Sequence, residues 1–423
     1  MRCPSFLAEL RIVGRTQYSR STGTSPWESW LSRNGSLFLI IALMCLATAP
    51  GSPQANSSQH GNGSHGRLRT YFIAADEVDW DYAPLGIDFM TGKAFAGMSA
   101  VYTEPGPTRI GHVFRKALYR EYTDGTFATL KTRRPEDAYL GLLGPVLHAE
   151  VGDTISVVFK NNGTHAYSMH AHGVFYQKAS EGSLYADGVP DEQKMGARVM
   201  PGSTFTYVWS VPERAGPGPQ DPSSIAWLYH SHVDEMRDVS TGLVGAIIVT
   251  ARGQARPDGT PKDVDREIVA LFTAFNEGQS WFIDQNIARS LSAVDRQKVN
   301  KAETNATDTA GNYSLAGTGF AEVNLKFSIN GFLYGNGPVM RMRAGQHVRW
   351  YLLAIAQAFD FHTPHWHGNT VLYRGHRTDV IALSPAEMET ADMVPDNPGM
   401  WMFHCHVDDH MVAGMVARYE VTP

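Results

Sequence analysis

Short runs in which apolar residues alternate with polar ones recur along the chain. Residues 154–159 and 348–352 show the pattern clearly, with a β-branched, aromatic or aliphatic side chain at every second position. A period of two is that of a β-strand with one buried face. Long stretches with the periodicity of a helix are few. The pattern therefore predicts an all-β protein.

The strand-like runs fall into two blocks that repeat each other, residues 67–250 and 263–423. Each block contains a His-x-His-Gly motif, a turn with proline, a Trp-x-x-His-x-His motif and a closing apolar strand. Between the blocks, residues 251–262 (ARGQARPDGTPK) are rich in Pro, Gly and Arg and are predicted to form the linker. The repeated unit predicts two Greek-key β-sandwich domains.

The N-terminal region has the pattern of an export signal. Arg33 precedes an apolar run at residues 37–49, which ends in Ala-Thr-Ala. Such a run is short for a membrane span and typical of a secretory signal. We expect a signal peptide at residues 1–49, a flexible polar leader at 50–66, and a secreted or extracytoplasmic mature protein.

Composition removes several classes of function. The formal charge is −6 and the sequence has no block of basic residues, so nucleic acid is not expected as a partner. With 43% hydrophobic and 18% charged residues, the chain is not of the disordered class. The cysteines, Cys3, Cys45 and Cys405, are too few for a disulfide framework. Cleavage of the signal would leave Cys405 alone, and a single thiol in an exported protein needs a specific role.

Four His-x-His pairs carry the candidate chemistry. Residues i and i+2 of a strand lie on one face, so each pair aims two imidazoles at one point. Imidazole suits copper above all, and eight such groups could hold about three ions. The pairs are His170/His172, His230/His232, His365/His367 and His404/His406.

A second ligand set surrounds the single thiol. It combines two imidazoles, a thiolate and a weak axial thioether, which is the ligand set of a blue-copper electron-transfer site. Its members are His362, Cys405, His410 and Met415. The first block is predicted to lack such a site, because the equivalent positions carry Tyr167, Ser231 and Leu243.

Cys405 also connects the two kinds of site. On a strand its side chain lies on the face opposite His404 and His406. Single electrons that enter at the thiolate can pass through the peptide to the imidazole cluster. Several clustered coppers can collect four electrons and reduce O2 to water. The pattern predicts Cys405, His404 and His406 as catalytic residues of an oxygen-reducing enzyme.

From about residue 67 to the C-terminus the chain resembles the multicopper oxidases, whose histidine motifs match the four pairs above. Within that family it is most similar to the ceruloplasmin/hephaestin branch. The stretches that carry the resemblance are RIGH at 109–112, KALY at 116–119, YTD at 122–124, LGLLGP at 140–145, YHSHV at 229–233, GQSWF at 278–282, VNK at 299–301 and SING at 328–331.

The resemblance implies a cupredoxin fold for each domain and about four coppers per chain. It implies type 1 copper at the thiol-containing set His362, Cys405, His410 and Met415. It assigns type 2 copper to His170 and His365. It assigns the binuclear type 3 pair to His172, His230, His232, His367, His404 and His406.

The resemblance also suggests an assembly. Ceruloplasmin-like proteins have six such domains in three pairs, with the trinuclear cluster between the first and last domain. One pair per chain, as in two-domain laccases, predicts a homotrimer with head-to-tail contacts and trinuclear clusters between chains.

The substrate is less specified. The resemblance places Glu322 and Asp409 at an Fe(II) site beside the type 1 copper, whereas Phe327 stands where that site has a histidine in ceruloplasmin. Glu322 could also be an ordinary surface acid, and Asp409 could orient a copper ligand. Asp408 is a candidate for proton delivery to oxygen.

Other functions stay open. Methionines at 388, 393, 400, 402 and 411 would suit Cu(I) and a cuprous oxidase, although core packing explains most of them. A laccase-like phenol oxidase needs only an open cleft beside the type 1 histidines. A copper nitrite reductase would carry its blue site in the first domain, and a non-catalytic copper-binding scaffold need not keep every histidine. The complete set favours an oxidase with O2 and Fe(II), or another small reductant, as partners.

Overall fold

Strands form most of the secondary structure in the computed structural model, which describes residues 66–299, 319–355 and 361–423. In the first half the strands are β1 (Leu68–Asp81), β2 (Val113–Tyr122), β3 (Val146–Glu150), β4 (Thr154–Asn161), β5 (His170–Ala171), β6 (Thr204–Ser210), β7 (Ser224–His230) and β8 (Val244–Thr250). In the second half they are β9 (Arg266–Asn276), β10 (Leu325–Ile329), β11 (Met340–Arg343), β12 (Val348–Ala354), β13 (Pro364–Trp366), β14 (Val371–Tyr373), β15 (His376–Thr378), β16 (Met388–Met393), β17 (Gly399–Cys405) and β18 (Val416–Thr422).

Helices are short throughout the described residues. They are α1 (Met98–Thr103), α2 (Glu235–Thr241), α3 (Ile283–Ser290), α4 (Ala293–Arg296), α5 (Phe320–Val323) and α6 (Asp408–Val412). Single 3-10 turns occur at Pro135–Leu140, Lys178–Ser180, Asp191–Gln193, Met195–Ala197, Glu213–Ala215 and Glu277–Gln279. The all-β prediction is confirmed. None of the described helices is long and apolar enough to span a bilayer.

The two halves share one strand plan. The first half has sheets ordered β2-β1-β4-β6 and β3-β8-β7-β5, and the second has β10-β9-β12-β16-β14-β15 and β11-β18-β17-β13. In each half the first strand runs parallel to a buried central strand, β1 with β4 and β9 with β12. In each half the closing strand pairs antiparallel with the strand that carries the second histidine motif, β8 with β7 and β18 with β17. The repeat read from the motifs is therefore also a repeat of topology.

The apolar core explains the period of two in β4 but not in β12. Strand β4 buries every second residue, including Ile155, Val157 and Phe159, whereas β12 is buried along its whole length. One buried cluster lies in the first half around Trp209, with Phe282 of the second half at its edge. The other contains residues of both halves, such as Val244 and Leu353. The halves are thus joined through shared apolar packing. Apolar surface that is removed from water stabilises the fold by about 25 cal/mol for each Å².

The described residues include the whole predicted linker but almost none of the predicted N-terminal segments. Residues 251–262 connect β8 to β9 and fold back on the first half, where Thr250 Oγ1 donates to the carbonyl of Gly259 at 2.9 Å. The predicted signal peptide (1–49) and the leader (50–66), apart from its last residue, lie outside the described residues.

Candidate metal centres

Strand register brings the paired histidines together. His170 of β5 lies opposite His230 of β7, and His365 of β13 lies opposite His404 of β17. The second member of each pair lies one or two residues beyond the end of its strand, so strict alternation does not place it. Each pair nevertheless keeps its imidazoles close, with ring centroids 4.8 to 5.5 Å apart.

The first-half histidines form one group, which we call the first quartet (His170, His172, His230 and His232). The ring centroid of His170 lies 5.4, 5.6 and 5.2 Å from those of the other three, in that order. His172 Nε2 and His230 Nε2 are 3.1 Å apart. Two ligands about 2.0 Å from a tetrahedral metal are separated by about 3.3 Å, so this spacing fits a shared ion.

The second-half histidines form an equivalent group, the second quartet (His365, His367, His404 and His406). His404 Nε2 lies 3.1 Å from a ring nitrogen of His365 and 3.1 Å from His367 Nε2. The His365 and His406 ring centroids are 5.1 Å apart. Within the described ranges, no hydrogen bond or ring contact joins the two quartets, so the chain holds two clusters of four imidazoles instead of one cluster of eight.

Backbone contacts orient the imidazoles. His170 Nδ1 lies 2.7 Å from the carbonyl oxygen of Glu181, and His404 Nδ1 lies 2.7 Å from that of Cys405. His230 Nδ1 has the carbonyl of Ser231 at 3.1 Å. A carbonyl at Nδ1 fixes the tautomer that leaves Nε2 as a metal ligand.

The electrostatics keep these rings neutral. Burial, reinforced by neighbouring histidines, lowers the pKa of His172 to about 4 and that of His230 to about 3. Burial likewise lowers the pKa of His404 to about 4. A neutral imidazole has the free lone pair that a metal requires. The donor sets therefore fit copper, which prefers imidazole nitrogen.

The thiol-containing set also assembles. His362, Cys405 and His410 place their ligand atoms within 4.8 Å of one another. Cys405 is the last residue of β17, and His410 is on α6, which returns its ring to within 3.6 Å of the sulfur. The backbone N–H of Thr363 donates to Cys405 Sγ at 3.2 Å. Both His362 and Cys405 are fully buried.

The environment of Cys405 favours the thiolate. Burial alone raises the pKa of this thiol, but hydrogen bonds from His362, His410 and the backbone N–H groups of Thr363 and Val407 outweigh it and lower the pKa to about 6. A thiolate is the form that binds metal. The set thus fits the soft-ligand preference of a blue-copper site.

Met415 belongs to the same core. Its side chain is fully buried in the cluster that contains Cys405. Its carbonyl accepts from the N–H of Cys405 at 3.1 Å, and its own N–H donates to the carbonyl of His410 at 2.9 Å. The loop 406–414 is therefore pinned at both ends beside the thiol.

The first half repeats this frame without the ligands. Ser231 N–H donates to the carbonyl of Leu243 at 3.2 Å, as Cys405 does to Met415. Tyr167 exchanges hydrogen bonds with Val199, as His362 does with Leu383. By these contacts Tyr167, Ser231 and Leu243 correspond to His362, Cys405 and Met415, as the repeat in the sequence predicts.

Asp238 occupies the space beside Ser231. Its buried carboxylate accepts from Ser231 Oγ at 2.6 Å and from Trp281 Nε1 at 2.8 Å. It also accepts from the backbone N–H groups of Val233 and Asp234. A hydrogen-bonded carboxylate thus lies beside Ser231, the residue that corresponds to Cys405 in the second half.

The predicted substrate acids are connected to the thiol set, Asp409 along the chain and Glu322 through Tyr102 and Phe327. Glu322, on α5, accepts a hydrogen bond of 3.1 Å from Tyr102 Oη of α1. Asp409 is exposed on α6, one residue before His410, and its charge acts on the same tyrosine. Phe327 stacks on the His410 ring, with centroids 4.7 Å apart and planes at 30°. Asp408 is exposed and, within the described residues, has no side-chain hydrogen bond or ion pair.

Sequence reasoning missed three side chains at these sites. Glu235 lies 3.2 Å from His232 Nε2, and Asp379 lies 3.6 Å from His365 Nε2. Glu235 follows His232 by three residues at a helix start, which is a readable signal. Asp379 follows His365 by 14 positions with no motif between them, and Tyr102 comes from the other half, so neither leaves a local pattern.

The comparisons with known proteins agree with this geometry. A family model described as "Multicopper oxidase" matches residues 140–254, and a second with the same description matches residues 295–423. Together they span more than half of the chain.

Curated relatives include the human "Ferroxidase HEPHL1" (41% identical over 84% of this chain), rat hephaestin (40% over 84%) and human ceruloplasmin (37% over 94%). The matches cover 29%, 30% and 36% of those proteins, so the chain spans about a third of their length.

Solved structures are similar in fold. A crystal structure of a multicopper oxidase gives a TM-score of 0.50 at 20% identity, covering 84% of this chain and 89% of the other. A copper nitrite reductase from Nitrosomonas europaea also gives 0.50, at 15% identity, with 84% and 94% covered. At these identities the likeness shows the shared β-sandwich fold alone, which confirms the predicted cupredoxin-like architecture.

Proposed function

Because the chain belongs to the multicopper oxidase family, we propose that it oxidises Fe(II) one electron at a time and uses four such electrons to reduce O2 to water. Family membership implies copper as the cofactor, and copper supplies the one-electron chemistry that the side chains here lack. We assign about four coppers per chain.

The assignment follows the donor sets. Type 1 copper would be held by His362, Cys405, His410 and Met415. Type 2 copper would be held by His170 and His365. The type 3 pair would be held by His172, His230, His232, His367, His404 and His406.

One observation carries the proposal, which is the back-to-back placement of Cys405 and His404 on β17. The Cys405 sulfur faces His362 and His410, whereas the neighbouring His404 ring lies among His365 and His367. A single peptide unit therefore separates an electron-entry site from an imidazole cluster. A copper held by His362, Cys405 and His410 would supply the one-electron acceptor there, and the covalent bonds of one strand would connect it to the imidazole cluster.

Iron is the proposed reductant because two carboxylates lie beside the electron-entry site. Carboxylates are hard ligands that stabilise Fe(III) more than Fe(II), which favours loss of the electron. Glu322 and Asp409 would supply them, and relatives named ferroxidase, hephaestin and ceruloplasmin support the choice. Phe327 in place of an imidazole leaves this site with oxygen ligands.

The two separate quartets support an assembly of chains. Each offers four imidazoles, whereas the proposed trinuclear cluster needs eight, so the first quartet of one chain would face the second quartet of the next. Exposed apolar side chains lie near both groups, Leu184 beside Ser183 and His232 in the first half and Val380 beside His365 in the second. A closed ring of three chains would bury these side chains and create three clusters.

The assembly has its own test. Native mass measurement of the copper-loaded protein should give three chains together with oxidase activity. A copper-loaded, active monomer would refute shared clusters.

Export to an oxidising compartment is part of the proposal. The apolar run at 37–49 supports a cleaved signal, and coordination would protect the single thiol of the mature chain from oxidation. N-terminal sequencing of the secreted protein should place the mature start near residue 50.

Oxygen consumption tests the substrate. Fe(II), Cu(I) and a phenol are compared on the wild type, on Glu322→Ala and on Glu192→Ala, which removes an exposed acid of the first half. We expect Glu322→Ala to slow Fe(II) oxidation alone and Glu192→Ala to change nothing. Fe(II) turnover no better than phenol turnover in the wild type would refute the ferroxidase assignment and favour a laccase-like enzyme.

Copper content near two per chain would favour a nitrite reductase, and a copper-loaded protein without oxygen consumption would favour a scaffold.

A further inference from the structure

Tyr102 reaches the proposed iron site from the opposite half of the chain. It lies on α1, 220 positions before Glu322, and its ring is only 3% exposed. Its hydroxyl donates to Glu322 Oε1 at 3.1 Å. Its ring meets Phe327 edge-on, with centroids 6.4 Å apart and planes at 85°. The tyrosine thus contacts an acid of the proposed site and the residue that stacks on His410.

A buried lysine fixes this arrangement. Lys326 Nζ donates to the carbonyl of Tyr102 at 2.7 Å and to the carbonyl of Val323 at 2.8 Å. The amine of one side chain therefore ties the backbone of α1 to the end of α5, the helix that carries Glu322. The separation between the tyrosine hydroxyl and the carboxylate is set by the fold and does not depend on a mobile surface side chain.

The hydrogen bond occupies one carboxylate oxygen. Within the described residues, Tyr102 is the hydrogen-bond partner of the Glu322 side chain, and it contacts Oε1 only. Oε2 is therefore left to bind a cation. Burial first, and then the charges of Glu322 and Asp409, raise the pKa of Tyr102 above its ordinary value, so the phenol stays a neutral donor.

We propose that Tyr102 is a positioning residue for Fe(II): its hydroxyl holds Glu322 Oε1 so that Oε2 faces the ion beside Asp409. The inference rests on the proposed ferroxidase function and adds a first-half residue to a site otherwise built from the second half. An oriented carboxylate binds the ion without the entropic loss of freezing a free glutamate.

The test is Tyr102→Phe in the copper-loaded protein, because this change removes one oxygen atom and keeps the buried ring. Loss of a hydrogen bond to a charged group should raise the KM for Fe(II) by about tenfold and leave kcat nearly unchanged. Oxidation of a phenol should keep both parameters. Zn(II), which is not oxidised, should bind the variant about tenfold more weakly in calorimetric titration.

Tyr71→Phe is the matched control. The partly buried Tyr71 hydroxyl donates to the carbonyl of His148 at 2.9 Å and accepts from the N–H of His148 at 3.0 Å, but lies outside the proposed site. It should leave the Fe(II) parameters as in the wild type.

The outcomes separate the two proposals. If Glu322→Ala raises the KM for Fe(II) and Tyr102→Phe does not, the positioning role is wrong and the iron site stands. If kcat falls for iron and phenol together in Tyr102→Phe, the tyrosine is structural and the inference fails. If Glu322→Ala itself leaves the Fe(II) KM unchanged, the proposed ferroxidase function fails first.

Discussion

A buried ion pair joins the two halves, and its removal gives a quantitative prediction. Lys116 of β2 contacts Glu277, which follows β9, and both side chains are 0% exposed. Tyr82 Oη donates to the same Glu277 oxygen at 2.5 Å. Burial raises the pKa of Glu277 and lowers that of Lys116, and each partner's charge opposes the shift of the other. The variant is Glu277→Gln, which keeps the shape and removes the charge.

The size of the stability loss depends on the contacts that Lys116 keeps in the variant. Breaking a buried pair by removing one charge costs about 3–5 kcal/mol. In the variant, Lys116 retains the carbonyl of Ser240 at 2.8 Å and a position 4.6 Å from the Phe275 ring centroid. Such a cation–π contact offsets about 1–2 kcal/mol when it is desolvated. We therefore expect a loss near the low end, about 3 kcal/mol.

Urea unfolding of the copper-free protein, followed by tryptophan fluorescence, measures the loss. The matched control is Glu121→Gln, which breaks the exposed Lys131–Glu121 pair (2.8 Å) and should cost under about 1 kcal/mol. The double variant Lys116→Met with Glu277→Leu should recover most of the stability, because no unpaired charge is left buried. A cost for Glu277→Gln as small as that of the control would refute the reasoning, as would a double variant less stable than the single one.

Three further changes follow from the structure. Cys405→Ser should abolish the visible absorption of a blue-copper site and remove about one copper per chain; a persistent blue band would place that centre elsewhere. Asp238→Ala should destabilise the first half by about 2–4 kcal/mol in thermal unfolding, because the hydroxyl of Ser231 and the indole of Trp281 lose their buried acceptor. Its visible spectrum should stay that of the wild type, and a lost blue band would contradict the assignment of that space as ligand-free. Burial raises the pKa of Glu389 to about 7, so its contribution to stability is present below its unfolded pKa, about 4.3, and is lost as the pH rises through 7. Glu389→Gln should therefore raise Tm relative to the wild type more at pH 8 than at pH 5, and an equal difference at both pH values would contradict it.

The sequence predicted the features that depend on residues close together in the chain. The period of two located β4 and β12, and the adjacency of His404 and Cys405 anticipated that their side chains belong to two different groups. The chain also brings the thiol set together as its ligand chemistry suggested. These features depend on residues a few positions apart or on strands paired within one half.

The rest depends on contacts between distant segments. Tyr102 meets Glu322, and Lys116 meets Glu277, across 220 and 161 positions, and no periodicity encodes such a meeting. No local pattern encodes the separation of the histidines into two quartets either, although the resemblance, which puts the trinuclear clusters between chains, implies it. The resemblance to a family supplied the two acids of the proposed substrate site, whereas the contact of Tyr102 with Glu322 is visible only in the fold.

The shared frame of the two halves bears on the order of events in biosynthesis. The backbone bonds that hold Met415 against Cys405 recur at Leu243 and Ser231, where no ligand set exists. These backbone bonds therefore do not depend on coordination, in contrast to small zinc domains that fold only around their ion. These bonds can form before any copper arrives, so folding around the thiol and metal delivery can take place as separate steps.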